Sequence, residues 1–380
     1  MRDLEAYAQH GRNNPHHPDQ LREHPYDFVS LPAAPKTVKA PGHDSYPSQL
    51  YSGILTLVYR TLTPLHVGSG SFESSQACGL GGKDQPVRGL VRRAGRPILP
   101  GSSWKGAVRA RYEAITRSRL ALAKDYHKLF PEKVPEPLRV DAKRTHEVKV
   151  QDPRLRRLRA RQKERSEEAR EFLQSLSPAE SLFGAMGYRG RVHPGDGFIK
   201  APPTGAPLEV APMESPAAHR LAKPGQAGKG RGVSIEIREV EGRKFYYDGD
   251  VVTARTATSR GEAHPFTHEL VDFVPAGSLV AVEVHLEAVD LAELGALLIS
   301  AGYGPGAGIL RFGGFKPAGL GKVELCETRT QLRQGAATRS WKRPAPVELD
   351  LEPALKAAHQ TLIDADALLE LHTVTTLRRP

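Results

Sequence analysis

Between residues 279 and 289, apolar side chains occupy every second position. Val280, Val282, Val284, Leu286 and Ala288 alternate with Ala281, Glu283, His285 and Glu287. A period of two is a strand with one buried face and one face turned to solvent or ligand. Immediately after it, Asp290 and Glu293 stand at capping-box spacing. Leu291, Leu294, Leu297, Leu298 and Ala301 then recur at helical spacing until Gly302 stops them. A glycine-rich loop (312–322) follows, and a last strand is predicted over 322–327. Strand, helix, loop and strand in immediate succession leave few arrangements besides two strands of one sheet with a helix on its face.

The front of the chain repeats this unit. Residues 54–62 are apolar on both faces, which predicts a central strand. Residues 97–100 lead into Gly101, Ser102 and Ser103, where either serine is suited to cap a helix. Trp104, Val108 and Ile115 mark the inward side of that helix. The two halves predict an α+β fold with a ferredoxin-like βαββαβ core. Three regions are expected. Residues 1–50 form an extended N-terminal arm, docked through Phe28, Val29 and Leu31 or else left as a disordered tail. Residues 51–330 form the core domain, with a large insertion at about 120–260. Residues 331–380 form a helical tail, where Pro353 starts a helix carrying Leu355, Leu362 and Ile363 on one side, against the core or a neighbouring subunit. Within the insertion, residues 152–172 read as a charged, solvated helix or mobile segment. Residues 233–247 alternate like a hairpin around Glu241, Gly242 and Arg243.

Charge narrows the partner. The 380 residues carry a formal net charge of +11. From residue 86 to 112 the ionisable side chains are Arg88, Arg92, Arg93, Arg96, Lys105, Arg109 and Arg111, with no Asp or Glu. One sign of charge running into a helix N-terminus suits a polyanion backbone. Lys105, Arg109 and Arg111 lie off the apolar stripe and are expected to face phosphate. No apolar run approaches the roughly 20 residues that span a bilayer, so no membrane partner is expected. The first residues have no apolar signal core, and the only cysteines, Cys78 and Cys326, have no zinc-site spacing. A reducing cytoplasm is the expected compartment.

Four motifs occur in order: Thr-Pro-Leu-His-Val-Gly-Ser-Gly at 63–70, Pro-Ile-Leu-Pro-Gly-Ser-Ser-Trp-Lys-Gly at 97–106, Ser-Leu-Phe-Gly at 181–184, and Gly-Gly-Phe-Lys-Pro-Ala-Gly-Leu-Gly-Lys-Val at 313–323. Together they resemble the RAMP superfamily and, more narrowly, the backbone subunits of type III CRISPR effector complexes. Tyr-Asp-Phe-Val-Ser-Leu-Pro at 26–32 resembles an arm found in one branch of that family. The resemblance implies an RRM-related fold, in a subunit that holds guide RNA (crRNA) beside other RAMP-type subunits and engages complementary target RNA. A β-hairpin thumb would press into the guide, with 233–247 and the charged insertion both candidates. Gly101, Ser102, Ser103, Lys105 and Arg109 would hold phosphates, and Gly313, Gly314, Gly319 and Gly321 would let the second loop approach RNA, with Lys316 supplying charge.

In catalytic members, a loop Asp before the Pro-Gly-Ser-Ser motif cleaves target RNA with a divalent metal. Asp84, in Lys-Asp-Gln-Pro-Val at 83–87, matches that position, with Mg2+ the expected ion. It is the only Asp between His66 and Gly106, and Glu73 is the only other carboxylate there. One carboxylate makes no tight magnesium site alone, but together with RNA phosphates it can recruit a hydrated ion. The alternative is that Asp84 solvates a turn or pairs with Lys83 or Arg88, in a purely structural subunit. His66 is the secondary candidate, as general base of a metal-independent guide-processing endonuclease or as a residue packed beneath the loop. Asp196 reads as a turn residue. His264 and His268 are separated by Pro265, which argues against a metal-binding helix, and His10, His16, His17 and His24 lie in the arm.

Overall fold

The computed structural model describes residues 25–43, 47–119, 173–185, 187–202, 205–210, 242–251, 269–338 and 345–378. In chain order its strands begin with β1 (Tyr26–Ser30), β2 (Tyr51–Thr61), β3 (Gly68–Ser74), β4 (Pro86–Leu90), β5 (Arg92–Arg93) and β6 (Arg96–Leu99). They continue with β7 (Val192–Pro194), β8 (Gly197–Lys200), β9 (Leu208–Val210), β10 (Gly242–Tyr246), β11 (Glu269–Val271), β12 (Leu279–Val289), β13 (Leu310–Arg311) and β14 (Lys322–Gln334). The helices are α1 (Gly101–Ile115), α2 (Pro178–Phe183), α3 (Leu291–Ser300), α4 (Glu352–Thr361) and α5 (Ala365–Thr376). The architecture is mixed α+β, with strands dominating.

The main sheet runs β13-β14-β2-β12-β8-β6-β5, with β7 also paired to β12. Strand β2 is central for a plain reason. It is antiparallel to β12 from Arg60 to Tyr51 and antiparallel to β14 from Thr61 to Tyr51, so neither edge meets water. Its Leu55, Leu57 and Tyr59 and the β12 residues Val280, Val282 and Val284 are fully buried in one continuous core with Trp104 and Val108 of α1 and Leu294 and Leu297 of α3. The Trp104 indole donates to the Tyr59 hydroxyl at 3.0 Å, which ties α1 to β2. On the opposite face of β12, Ala281, Glu283 and His285 are exposed, as the alternation predicts. The alternation breaks at a bulge between Leu286 and Val289, where Ala288 takes φ 49° and donates its amide to the Ser52 hydroxyl.

The capping box on α3 is present in both directions, through Asp290 and Glu293. Glu293 also meets Arg191, a guanidinium with no exposed surface that donates to the Ser181 carbonyl and hydroxyl and to the Ala288 carbonyl as well. That single side chain joins α2, the entry to β7, the bulge of β12 and the start of α3.

Several expectations change. Neither Ser102 nor Ser103 caps α1: Pro100 is its N-cap, without a side-chain bond. The Gly101 amide instead meets Asp196 Oδ1 at 3.1 Å, so the turn between β7 and β8 supplies the cap. Gly101 has no room for a side chain, since a Cβ there would lie 2.3 Å from the Pro194 carbonyl oxygen. Strand β14 runs past Glu327 to Gln334 because β2 needs a partner along its whole length, although most of its further side chains are polar. Of the expected 233–247 hairpin, the described arm is β10, and it pairs with β1. The tail holds two helices rather than one. The charged segment 152–172, His264 and His268, and His10, His16, His17 and His24 lie outside the described residues.

Arg111 does not face phosphate. It is 2% exposed and donates to the carbonyls of Ser300, Ala307 and Ile309, closing the C-terminal end of α3 and the loop beyond it. Burial lowers its pKa to about 10. Replacing it with methionine strands buried acceptors. Arg111→Met should therefore cost about 3 kcal/mol in denaturant unfolding, whereas Arg96→Met, at an exposed site, should stay within about 0.5 kcal/mol.

Candidate nucleic-acid interface

The chain leaving β2 runs straight into the second glycine-rich loop. The Gly321 amide donates to the Pro64 carbonyl and the Gly314 amide to the His66 carbonyl, each at 2.8 Å. Thr63 bridges the same segments, donating to the Gly319 carbonyl and accepting from the Lys322 amide, both at 3.0 Å. Gly313 has φ 73°, and a Cβ there would meet the His66 carbonyl oxygen at 2.1 Å. The space at Gly319 and Gly321 is likewise filled by the protein's own backbone, at Asp250 and Phe312. Gly314 is the exposed member of the set.

His66 lies beneath this junction, 3% exposed, with its ring edge-on to Phe315 at 5.3 Å. Its Nδ1 is 2.7 Å from the Asp272 carbonyl oxygen. A carbonyl only accepts, so Nδ1 carries the proton. Burial holds the imidazole below its ordinary pKa, partly offset by that bond and by the Asp272 carboxylate. Asp272, 1% exposed, also accepts from Arg92 at 2.6 Å, and the neighbouring Arg93 pairs at 3.1 Å with Asp196, the residue that caps α1. A chain of bonds thus connects Gly314 to Gly101 through His66, Asp272, Arg92–Arg93 and Asp196. The two basic, glycine-bearing segments belong to one continuous structure.

The local absence of acidic residues from 86 to 112 does not survive folding. Arg88 pairs with Glu269 at 2.6 Å, Arg92 with Asp272, Arg93 with Asp196, and Arg109 with Glu113 at 2.8 Å. Arg109 also donates to the Gly184 carbonyl, at the end of the Ser-Leu-Phe-Gly motif. Of that basic run, Arg96, Lys105 and the buried Arg111 have no carboxylate partner among the described residues, and Arg111 is engaged by backbone carbonyls. Lys105 is half-buried one turn into α1, with its pKa lowered by burial and then by Arg109. Ser102 beside it is exposed and Ser103 half-exposed. Lys316 in the second loop is also half-buried, with no carboxylate bonded among the described residues, and its pKa is lowered by burial and by Arg311 and Lys244.

Asp84 sits in the exposed turn between β3 and β4. Its Oδ1 accepts from the Ser74 hydroxyl at 2.6 Å and from the Ser75 hydroxyl and the Gln76 amide at 3.3 Å each. Those bonds, Ser74 first, hold its carboxyl below the ordinary range. Lys83 makes no ion pair with it among the described residues, and Arg88 is taken by Glu269. Glu73 faces Cys78 and Ser69, each at 3.4 Å. Among the described residues no three His, Cys, Asp or Glu side chains gather to hold a metal ion. The donor set at Asp84 fits an ion shared with phosphate oxygens, not one caged by protein alone.

The RAMP superfamily model matches residues 58–324, from within β2 to within β14, and so takes in both glycine-rich segments and the turn carrying Asp84. The chain belongs to the RAMP superfamily. RAMP proteins are CRISPR-associated and act in RNA–protein complexes. No curated protein matches the chain. In this RAMP protein β1, α4 and α5 lie outside the matched span. No described helix is long and apolar enough to cross a membrane.

Sequence reasoning missed Asp272 and the capping role of Asp196, because both act on partners far away in the chain. The buried His66 carries a pH signature. The unfolded chain protonates histidine near pH 6.5, whereas the fold holds His66, His43 and His193 below that. Their contribution to stability is complete above about pH 6.5 and is lost as pH falls towards the folded pKa values. Unfolding midpoints should therefore drop between pH 7.5 and pH 5.5, and His66→Gln should make that drop shallower.

Proposed function

We propose that this RAMP protein is a guide-RNA-binding backbone subunit of a type III CRISPR ribonucleoprotein complex, and that Asp84 takes part in cutting complementary target RNA. The observation that carries the binding reading is the pair of half-buried cations, Lys105 and Lys316. They sit on two segments bonded into one structure, and neither has a carboxylate partner among the described residues. A cation already partly desolvated and uncompensated gains most from a polyanion. The sheet order β14-β2-β12-β8, with α1 following β2 and α3 following β12, supports a ferredoxin-like core beneath this surface. Phosphate contacts of this kind hold a strand in register without reading bases, leaving sequence choice to guide–target pairing.

For cleavage, the supporting observation is the orientation of Asp84. Three donors fix Oδ1 and keep the carboxylate ionised at neutral pH. So acidic a group is a poor proton acceptor from a ribose hydroxyl. Its role is to orient the attacking 2′-hydroxyl by hydrogen bonding and to present negative charge. A divalent ion, magnesium being the hard oxygen-seeking choice, would be held by Asp84 together with RNA phosphates and would supply charge neutralisation at the scissile group. The same three donors also order the turn, which favours a purely structural subunit as the second reading. His66 is poorly placed for a processing base, being buried with Nδ1 engaged.

In the assembled complex, Asp84→Ala should reduce cutting of guide-complementary RNA by about 100-fold or more while leaving RNA binding intact. Undiminished metal-dependent cutting removes Asp84 from the mechanism. Binding to single-stranded RNA should weaken with salt by about 0.7 in log affinity per log salt for each phosphate contact. Lys105→Ala should remove one such increment and weaken all sequences alike; a loss confined to particular sequences points instead to base readout.

A further inference from the structure

Phe72 is 65% exposed, on a strand where Gly68, Ser69, Gly70 and Ser71 before it are exposed as well. The ring is nevertheless held in place. Phe72 is opposed to Arg88 across the β3–β4 pair, and the guanidinium lies 5.0 Å from its ring centre. Arg88 is itself fixed by two bonds to Glu269, at 2.6 and 2.9 Å. An anchored cation thus backs one face of the ring and leaves the other open.

Strand register locates that open face. Arg88 is opposed to Val271 of β11, and Val271 to Leu208 of β9, so these side chains share one side of the small sheet β3-β4-β11-β9. On its β9–β11 half, Val271, Val210 and Leu208 pack against Ala318, Leu320 and Phe315 of the second glycine-rich loop. On its β3–β4 half, Phe72 stands uncovered. Ser74, two residues on and about 7 Å away, points to the same side. Its hydroxyl is the 2.6 Å donor to Asp84 Oδ1. One surface therefore runs from the loop that carries Lys316, past Phe72, to the Asp84 carboxylate. No other large apolar side chain of these four strands is exposed.

We propose that Phe72 is a base-stacking platform for target RNA, on which lies the base of a nucleotide flanking the linkage that Asp84 attends. The inference rests on the reading of Asp84 given above and adds the group that orients the strand there. An aromatic ring stacks on any base, which suits a strand whose sequence is chosen by pairing. A base drawn onto protein leaves the stack of its neighbours, and the sugar-phosphate linkage beside it is then free to take up an in-line geometry. The apolar side chain of a peptide would need an apolar rim. This ring has glycine and serine before it and the Asp84 turn beyond.

The test uses the assembled complex and guide-complementary RNA in which each of the two nucleotides flanking a cleaved linkage is made abasic in turn. Wild type should cut one of these substrates about 10-fold more slowly than base-bearing RNA. Phe72→Leu should cut base-bearing RNA about 10-fold more slowly and show no further loss on that abasic RNA, while Phe72→Tyr should cut as wild type does. The non-additivity is decisive, because mere damage to the hairpin would add to the effect of base removal. A 4-thiouridine at the sensitive position, irradiated in the unsubstituted complex with chelator present, should cross-link to the peptide holding Phe72, whatever the variants do to folding. Equal cutting of abasic and base-bearing RNA by wild type, undiminished cutting or additive losses in Phe72→Leu, or cross-links only elsewhere overturns the platform and leaves the role of Asp84 standing. Protection of Phe72 from hydroxyl radicals before target is added also overturns it, and reassigns the ring to a neighbouring subunit. Undiminished cutting by Asp84→Ala, or a wild-type complex that cuts nothing, overturns the catalytic reading and this site with it.

Discussion

The buried guanidinium of Arg191 is the constraint on which most of this structure turns. It has no exposed surface and is shared among Ser181, Ala288 and Glu293, which belong to α2, the β12 bulge and α3. Glu293 is at the same time the return half of the α3 capping box. The direction in which α3 leaves β12 and the seating of α2 are therefore set at one point. An ion pair in such a place contributes little net stability against an apolar replacement, but leaving one partner alone is costly. Its value is geometric. With α3 fixed, its far end is closed by Arg111, and the chain beyond returns through β13 to the glycine-rich loop that meets His66.

The surface proposed to meet RNA follows from which cations the fold neutralises. Arg88, Arg92, Arg93 and Arg109 are drawn into ion pairs that hold β4, β5 and α1 in place. Lys105 and Lys316 are left half-buried without such partners among the described residues. A run of seven basic residues in the sequence thus separates into structural and available charge. The division depends on carboxylates at Asp196, Glu269 and Asp272, far along the chain. Glycines divide in the same way: Gly313, Gly319 and Gly321 accommodate the protein's own backbone, and Gly314 faces outward.

Legibility followed the range of the interaction. The strand at 279–289, the capping box at Asp290 and Glu293, the inward positions of Trp104, Val108 and Ile115, and the central place of β2 were all readable, because each depends on periodicity or on neighbours a few residues apart. The cap on α1 was misread, because Pro100 precedes the helix and Asp196 reaches its first amide from another strand. The further length of β14 was hidden by its mostly polar side chains; beyond Glu327 only Thr330 and Leu332 are buried, while the backbone pairs with β2 throughout. At Asp84 the sequence indicated an isolated carboxylate. The turn that brings Ser74, Ser75 and Gln76 onto one of its oxygens is a tertiary fact.

By itself, then, the amino-acid sequence determined the alternation of strands and helices, the excess of positive charge, and the ordered motifs that mark a RAMP protein. These are properties of composition and short spacing, which survive without a fold. Only the tertiary structure decided which arginines remain available, that the two glycine-bearing loops are bonded together at His66, and that Glu269 holds the Arg88 guanidinium over the Phe72 ring. Those outcomes require residues separated by scores of positions to meet, and charge and hydrogen bonding depend on distance in space rather than distance along the chain.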